Sequence, residues 1–218
     1  MKCGKRHFTA GGALLAAFAL WTVLVLTVDV RAAGETGTAI GFAVLNMRFH
    51  AFTGVHMRLY DITDWLGLVP LGVCLMFGAI GFAQMIRRKS LRKVDPDILL
   101  LGVYYALVLL AYFVFELLPI NYRPILIEGR AEASYPSSTT LLVLSVMPTL
   151  AFQVRRRLTK AALKRWLGAF ATGFSLLTVM GRLVSGVHWI TDIVGAALLS
   201  AGLYHMYIAA VWLLGKEK

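Results

Sequence analysis

Long apolar windows, separated by short polar segments, run along the whole chain. A stretch of about 20 apolar residues is what a helix needs to cross the hydrocarbon core of a bilayer. The sequence holds six such windows, at residues 8–28, 65–86, 98–119, 139–154, 166–184 and 190–214. The 139–154 window is short and contains Pro148, which predicts a kink. The pattern therefore predicts an all-α polytopic membrane protein with six transmembrane helices.

The composition is typical of an integral membrane protein and not of a nucleic-acid-binding module. Of the 218 residues, 59% are hydrophobic and only 15% are charged, as expected for an integral membrane protein. The formal net charge is +11, but no basic and aromatic pattern of a nucleic-acid-binding module accompanies it, so no nucleic acid is predicted as a partner. The two cysteines, Cys3 and Cys74, supply neither a disulfide framework nor a metal-ligand pair. No metal and no cofactor are predicted.

Basic residues are distributed unevenly between the two sides of the membrane that six crossing helices would define. Sixteen of the 22 lysines and arginines, including every lysine, fall on the side of the N-terminus. The positive-inside rule then predicts that both termini are cytoplasmic, with outer loops at residues 29–64, 120–138 and 185–189. The basic start and the sequence VRA before Ala33 are also compatible with a cleaved signal, but the first window is long enough to span, which favours an uncleaved helix.

The six basic residues on the outer side are all arginines, a residue type that suits bidentate binding of an oxyanion. They are Arg31, Arg48, Arg58, Arg123, Arg130 and Arg182.

The stretch RLVSGVHWITD, from Arg182 to Asp192, places three ionisable residues beside the last window. His188 and Asp192 are four residues apart, so they share one face of a helix that has begun by His188. The carboxylate can then hold one imidazole nitrogen protonated and leave the other free as nucleophile or base. The alternative is a helix start at the membrane interface, with Asp192 favoured by the helix dipole and Arg182 reaching toward the headgroups. The stretch alone leaves both interpretations open.

A second candidate element opens the fourth window. The stretch YPSSTT, from Tyr135 to Thr140, is typical of a helix N-terminus with a hydroxyl cap. The free backbone amides of such an end bind phosphate, although a cap needs no ligand. Arg123 precedes this stretch on the same predicted side of the membrane.

Taken in order, the dipeptide RP at Arg123, the stretch PSST and the stretch GRLVSGVHWITD resemble the signature of the type 2 phosphatidic acid phosphatase superfamily. That signature has a lysine, six further residues and Arg-Pro, then Pro-Ser-Gly-His, then Ser-Arg with five residues to His and three more to Asp. The third part matches at Arg182, His188 and Asp192, with Gly181 in the place of the serine. The resemblance covers about residues 116–195, and six helices also fit the family.

The resemblance implies a mechanism as well as a fold. His188 would attack phosphorus and form a phosphohistidine, Asp192 would orient it, and water would then release phosphate. Positioning and charge stabilisation would carry the reaction without a metal. The implied phosphate-binding residues are Arg123, Arg182, Ser137, Ser138 and Thr139. The two serines would bind through their backbone amides.

Two positions depart from the family pattern. Glu116 stands at the lysine position, and Thr139 stands where the family has the histidine that protonates the leaving group. A threonine hydroxyl is no acid near neutral pH, and general acid catalysis contributes about a hundred- to ten-thousand-fold. The substrate would then carry a leaving group that needs little protonation, or another group such as His50, His56 or Arg130 would replace the missing function, or the chain would bind a lipid phosphate without cleaving it.

The sequence therefore predicts a single membrane domain, residues 1–218, with a phosphatase-like core at about 98–214 and an N-terminal helix and outer loop at 1–64. We expect a phosphatase of membrane lipid phosphates or diphosphates, such as a polyprenyl diphosphate, in a bacterial cytoplasmic membrane with the site facing outward. The alternatives are a catalytically impaired lipid-phosphate-binding protein and a lipid phosphotransferase. His205 is expected to bond to a neighbouring helix, and Asp61 and Asp64 are expected to cap the second transmembrane helix.

Overall fold

The computed structural model describes residues 2–214 and is mainly helical. Its elements, in chain order, are α1 (Lys2–Thr27), β1 (Arg31–Ala33), β2 (Thr38–Ile40), α2 (Ala43–Thr53), α3 (Met57–Leu66), α4 (Leu68–Arg88), a 3-10 turn (Leu91–Lys93), α5 (Pro96–Leu117), α6 (Ser138–Arg157), α7 (Ala161–Val184) and α8 (Ile190–Leu214). The predicted helical class is confirmed, and the predicted windows correspond to α1, α4, α5, α6, α7 and α8.

Five helical stretches in the described part of the chain are long and apolar enough to cross a membrane: α1, the run of α3 and α4, α5, α7 and α8. These stretches make the protein an integral membrane protein. The helix α6 falls outside this set because hydroxyl and amide side chains and the arginines of its last turn lower its hydropathy. Two of its buried polar side chains are bonded inside the bundle: Thr149 Oγ1 lies 2.7 Å from the Tyr105 hydroxyl, and Gln153 Nε2 donates to the Tyr207 hydroxyl at 2.7 Å.

Successive long helices alternate in direction, so the bundle has two distinct ends. At one end, which we call the His188 end, α1, α5 and α7 finish while α4, α6 and α8 begin. At the opposite end, which we call the basic end, lie the start of α1, the α4–α5 and α6–α7 connections and the finish of α8. Lys216 and Lys218, which contributed to the predicted orientation, lie outside the described residues.

The basic end is held by a compact ion-pair network. Arg157 donates from Nη1 to Asp95 at 3.0 Å and from Nη2 to both carboxylate oxygens of Asp97 at 2.8 Å. Arg88 donates to the other oxygen of Asp95 at 2.7 Å. Because Arg88 and Arg157 donate to this carboxylate, they hold the pKa of Asp95 at about 2. The network ties α4, α5 and α6 together.

The helix α1 packs along α8 through small residues. A methyl group added at Gly11 would lie 2.9 Å from Met206 Sδ and 3.1 Å from the Gly202 carbonyl oxygen, so glycine permits the close approach. Near the basic end of this pair, His7 Nδ1 and His205 Nδ1 are 3.0 Å apart. The prediction that His205 bonds to a neighbouring helix is confirmed.

The predicted outer loop is an ordered structure rather than a plain loop. Residues 31–66, which we call the outer segment, form the antiparallel β1–β2 hairpin and the helices α2 and α3. The second long helix begins at Leu68, and Asp61 and Asp64 lie inside α3, so the prediction that they cap it is wrong. Hydropathy misses short amphipathic helices because they become stable only when a neighbouring surface covers their apolar face.

Candidate active site

The N-termini of α6 and α8 meet at the His188 end. The backbone amide of Ser137, directly before α6, donates to the carbonyl oxygen of Asp192 in the first turn of α8 at 3.2 Å. On the other side of α8, the indole of the buried Trp189 donates to the Tyr122 carbonyl oxygen at 2.8 Å. These bonds fix the turn that carries His188 between the α5–α6 connection and α6.

His188 and Asp192 are both buried and lie next to each other. His188 Nδ1 is 3.6 Å from Asp192 Oδ2, and the Ser134 hydroxyl connects them. Ser134 Oγ lies 3.2 Å from His188 Nδ1 and donates a hydrogen bond to Asp192 Oδ2. The carboxylate and the hydroxyl therefore both face the same imidazole nitrogen, which fixes the ring orientation.

Asp192 also caps the helix on which it lies. Its Oδ2 accepts the Trp189 backbone amide at 2.9 Å, which is the return bond of a capping box at the start of α8. The helix begins at Ile190, so His188 lies in the preceding turn and not on the helix face that its spacing suggested. The Asp192 carboxylate thus has both of the roles that the sequence left open. It caps the start of α8, and it lies next to His188.

The second imidazole nitrogen of His188 is free. His188 is 2% exposed, and its Nε2 is buried without a hydrogen-bond partner among the described residues. Burial lowers the pKa of His188 well below its ordinary value, and the charges of Arg123 and Arg182 lower it further. The ring is therefore neutral at pH 7, which is the state in which a ring nitrogen can act as a nucleophile.

Arg123 and Arg182 converge on one aromatic ring. Arg182 Cζ lies 4.8 Å and Arg123 Cζ lies 5.4 Å from the centroid of the Tyr60 ring. Both arginines are buried, at 7% and 1% exposure, and each makes one ion pair. Arg123 Nη2 is 3.1 Å from Glu132, and Arg182 Nη2 is 3.4 Å from Asp64. In the part of the chain that the structure describes, Nε and Nη1 of both side chains lack a partner.

The predicted helix end contributes less than its sequence suggested. Ser137 precedes α6, but its hydroxyl bonds the Thr140 hydroxyl at 3.0 Å and caps no backbone amide. Its own amide is already engaged by Asp192. The amides of Ser138 and Thr139 belong to the first turn of α6, where no intrahelical acceptor exists.

The two departures from the family pattern lie near this end of α6. Thr139 is buried, and its methyl group faces the junction of α3 and α4, where a methyl group added at Gly67 would lie 3.4 Å from it. Glu116 is exposed near the end of α5 and lines a small pocket together with Ser134 and Ser138. A carboxylate therefore lies in a pocket that two residues next to the site also line.

The other groups considered as replacements are less directly placed. His50 packs against the Trp189 ring with centroids 5.6 Å apart, and its pKa is lowered by burial. His56 is exposed, with its ring 2.9 Å from the Thr53 carbonyl oxygen. Arg130 is exposed at the turn of the hairpin-like connection between α5 and α6, where it bridges to Ile127.

Sequence reasoning missed four residues that contact the predicted site. They are Tyr60, Asp64, Ser134 and Glu132. Tyr60 and Asp64 are four apart on α3, a spacing that places them on one helix face, and this is the signal that identifies them in retrospect. Ser134 directly precedes the stretch that opens α6 and carries no local signal, since its side-chain hydrogen bonds are with residues more than fifty positions away.

Three comparisons with known proteins bear on this site. A family model described as the PAP2 superfamily matches residues 98–216, more than half of the chain. A crystal structure described as the first transmembrane PAP2 type phosphatidylglycerolphosphate phosphatase from Bacillus subtilis has a similar fold, with a TM-score of 0.64 and 18% sequence identity. The match covers 95% of this chain and 98% of that chain. No curated protein matches the chain.

Proposed function

The chain belongs to the PAP2 superfamily, and we propose that it is a membrane phosphatase that hydrolyses a lipid phosphate or diphosphate through a phosphohistidine at His188. One observation carries the proposal: a buried histidine, neutral at pH 7, has an unbonded Nε2, and its pKa is lowered by the charges of two buried arginines whose N–H donors are only partly used. A dianionic phosphoryl group supplies the acceptors that these donors lack.

The chemistry follows from the roles of the two imidazole nitrogens. Nε2 attacks phosphorus, the bond from phosphorus to the leaving oxygen breaks, and the imidazole carries the phosphoryl group as a cation. Ser134 stabilises this cation by accepting a hydrogen bond from Nδ1, and the Asp192 carboxylate, 3.6 Å from Nδ1, stabilises it by its charge. Water then attacks phosphorus, the N–P bond breaks, and neutral His188 and inorganic phosphate are released.

The oxygens of the phosphoryl group are bound by the arginines and the start of α6. Arg123 and Arg182 exchange a carboxylate contact for phosphate oxygens. The amides of Ser138 and Thr139 add donors at a positive helix end, while the Ser137 amide holds Asp192 and so acts indirectly. Donors that are in place before the charge develops are the main source of rate in such a site.

Thr139 guides the choice of substrate. With no acid at this position, the departing oxygen gains little from protonation, which penalises an alkoxide much more than a phosphate. A lipid diphosphate, whose leaving group is a lipid monophosphate, fits this site better than a simple phosphomonoester. We therefore propose a polyprenyl diphosphate as the preferred class.

We also propose that six helices cross the membrane, with both termini cytoplasmic and the site facing outward. The helix α6 packs against α7 and α8, and its Thr149 and Gln153 side chains are bonded inside the bundle, which lowers the cost of placing them at membrane depth. The six lysines of the described chain, residues 2, 5, 89, 93, 160 and 164, lie toward the basic end, as the positive-inside rule requires of a cytoplasmic face. Residues 1–218 then form one domain, with its phosphatase core at about 98–214.

Purified full-length protein in detergent tests the proposal. We expect release of inorganic phosphate from a polyprenyl diphosphate, and no release by His188→Ala. Denaturation of the wild type with detergent at alkaline pH during turnover should trap a protein-bound phosphoryl group that is stable to alkali and is released by acid, as expected of a phosphoramidate. Hydrolysis that persists in His188→Ala contradicts the phosphohistidine mechanism at His188, and an absence of turnover on diphosphate and monophosphate lipids alike contradicts the phosphatase assignment.

A non-catalytic lipid-binding role is the second candidate. It is favoured by Glu116, which stands at the family's lysine position, and by the carboxylates of Asp64 and Glu132, which already pair with the arginines. Phosphate-dependent lipid binding that is equal in wild type and His188→Ala, without turnover in either, supports it over the phosphatase. Transfer of the phosphoryl group to an added alcohol in excess of hydrolysis identifies a phosphotransferase instead.

A further inference from the structure

The helix α3 contacts both arginines of the site, although it lies outside the residues that match the family model. Its Tyr60 is the one aromatic side chain that contacts both guanidinium groups among the described residues, with the ring centroid 4.8 Å and 5.4 Å from their Cζ atoms. Building on the proposed function, we propose that Tyr60 is a positioning residue that holds Arg123 and Arg182 together in the geometry that binds phosphate.

Two guanidinium groups in one buried site repel each other until an anion arrives. Each has one carboxylate partner, bound at a single Nη2 nitrogen, which leaves the rest of each group unbonded. The face of an aromatic ring attracts a cation, more strongly where water is excluded. A ring shared by both cations therefore offsets their repulsion in the empty site.

An aromatic ring has a further advantage over a third carboxylate. It contacts the flat face of a guanidinium group, whereas phosphate oxygens bind the N–H donors along its edge. Tyr60 consequently holds Arg123 and Arg182 without competing with the substrate for the same hydrogen bonds. A carboxylate in its place would have to leave before phosphate could bind.

The close packing of α3 against α7 brings Tyr60 to this position. A methyl group added at Gly181 would lie 2.6 Å from Thr63 Cγ2, closer than packed carbon atoms approach. Thr63 is fully buried, and its hydroxyl bonds carbonyl oxygens of its own helix at 2.9 Å, so its methyl group faces Gly181. The His56 amide adds a bond to the Ser185 carbonyl oxygen at 2.9 Å. Gly181, where the signature has serine, is thus the position that lets α3 reach Arg182.

The test uses full-length protein in detergent and two readouts. Isothermal titration gives the affinity for inorganic phosphate, and steady-state kinetics gives kcat and KM for a polyprenyl diphosphate. We expect Tyr60→Leu to weaken phosphate binding roughly ten-fold and to lower kcat/KM by a similar factor, because both guanidinium groups lose the ring. Tyr60→Phe keeps the ring and should stay within about two-fold of wild type.

Phe52→Leu provides a matched control, because it also replaces an aromatic side chain by leucine, at an 86% exposed position of the outer segment. It should leave phosphate affinity unchanged. Melting curves recorded without phosphate show whether the Tyr60 variants stay folded. If Tyr60→Leu does not fold, Gly181→Ala replaces it, because the added methyl displaces α3 while the ring stays intact, and it should weaken phosphate binding as well.

The outcomes separate this inference from the phosphatase assignment. Phosphate binding that depends on the Tyr60 ring, without turnover of any lipid, supports the inference and rejects the phosphatase. Turnover and phosphate affinity that are equal in wild type and folded Tyr60→Leu, or in folded Gly181→Ala, overturn the inference and leave the phosphatase standing. A wild-type protein that neither binds phosphate nor turns over lipid overturns both.

Discussion

The two ends of the bundle both hold arginines, but they differ in how those arginines are bonded. At the basic end, all three nitrogens of the Arg157 guanidinium group donate to carboxylates or to the Gln153 amide oxygen. At the His188 end, Arg123 and Arg182 are more deeply buried and each uses a single nitrogen. Burial of an arginine without full pairing lowers stability, so the bonding pattern distinguishes a structural cation from one that awaits a ligand.

The largest expected effect comes from removing a partly bonded arginine. We expect Arg182→Met to reduce kcat/KM for a polyprenyl diphosphate by roughly a hundred- to a thousand-fold, as for the loss of one preorganised donor to a developing anion. Its melting temperature should not fall, because the change removes a buried and poorly paired charge. Arg31→Met, at an exposed outer arginine paired with Asp29, serves as the control and should retain activity. If Arg182→Met instead unfolds and the fraction that stays folded turns over lipid normally, Arg182 is a structural cation and does not bind the substrate.

The opposite result is expected for Arg157→Met. The change leaves Asp97, which is largely buried, without its main cation and should destabilise the protein by about 2–3 kcal/mol, seen as a melting temperature lower by several degrees. At a temperature where the variant is folded, KM for the lipid should be unchanged. Arg156→Met is the matched control, because this neighbouring arginine is more exposed and lies 3.8 Å from Asp97. A selective rise in KM for Arg157→Met would break the distinction between the two ends.

The fold and the site were not equally readable from the sequence. Hydropathy located the long helices because the bilayer imposes their length. His188 and Asp192 lie together as their spacing predicted, although through the turn before α8 and not on one helix face. The outer segment and Tyr60 were missed because amphipathic helices of this length depend on tertiary contacts that periodicity does not encode. Ser134 was missed for a related reason, since its bonds to the turn before α8 join parts of the chain that are distant in sequence.

The pH dependence of turnover tests how the buried arginines of the His188 end affect His188. Burial and the two cations lower its pKa well below 6.5, while Asp192 and Ser134 are the other polar groups that face it. A histidine with a lowered pKa stays neutral above that pKa, so kcat/KM should hold steady as pH falls through 6.5 and decline only below it. Replacing Arg123 by Met removes one of the cations and should move this acid limb to higher pH. An acid limb centred near 6.5 in the wild type would indicate that His188 is solvated during turnover.

The same lowered pKa affects stability. Because the unfolded chain binds a proton at His188 at higher pH than the folded chain does, unfolding becomes easier as pH falls below about 6.5. The basic end behaves differently: Asp95 has a pKa of about 2, so its contribution is present above 3.8 and is lost only as pH falls toward 2. Melting curves between pH 7 and pH 5 should therefore show a loss of stability in wild type that is smaller in His188→Gln. Equal losses in the two proteins would exclude His188 as the responsible group.

The smallest expected effect concerns Glu116, an exposed carboxylate near the end of α5. Because Glu116 is exposed, water and salt screen its charge, and Glu116→Gln should improve phosphate affinity only about two-fold at low ionic strength. The gain should disappear at about 0.5 M salt, while Glu128→Gln, at an exposed position of the α5–α6 connection, should show none at either concentration. A weaker phosphate affinity in Glu116→Gln would mean that the carboxylate holds a site residue in place rather than repelling the substrate. The partly bonded arginines would then depend on one more acidic group than Asp64 and Glu132.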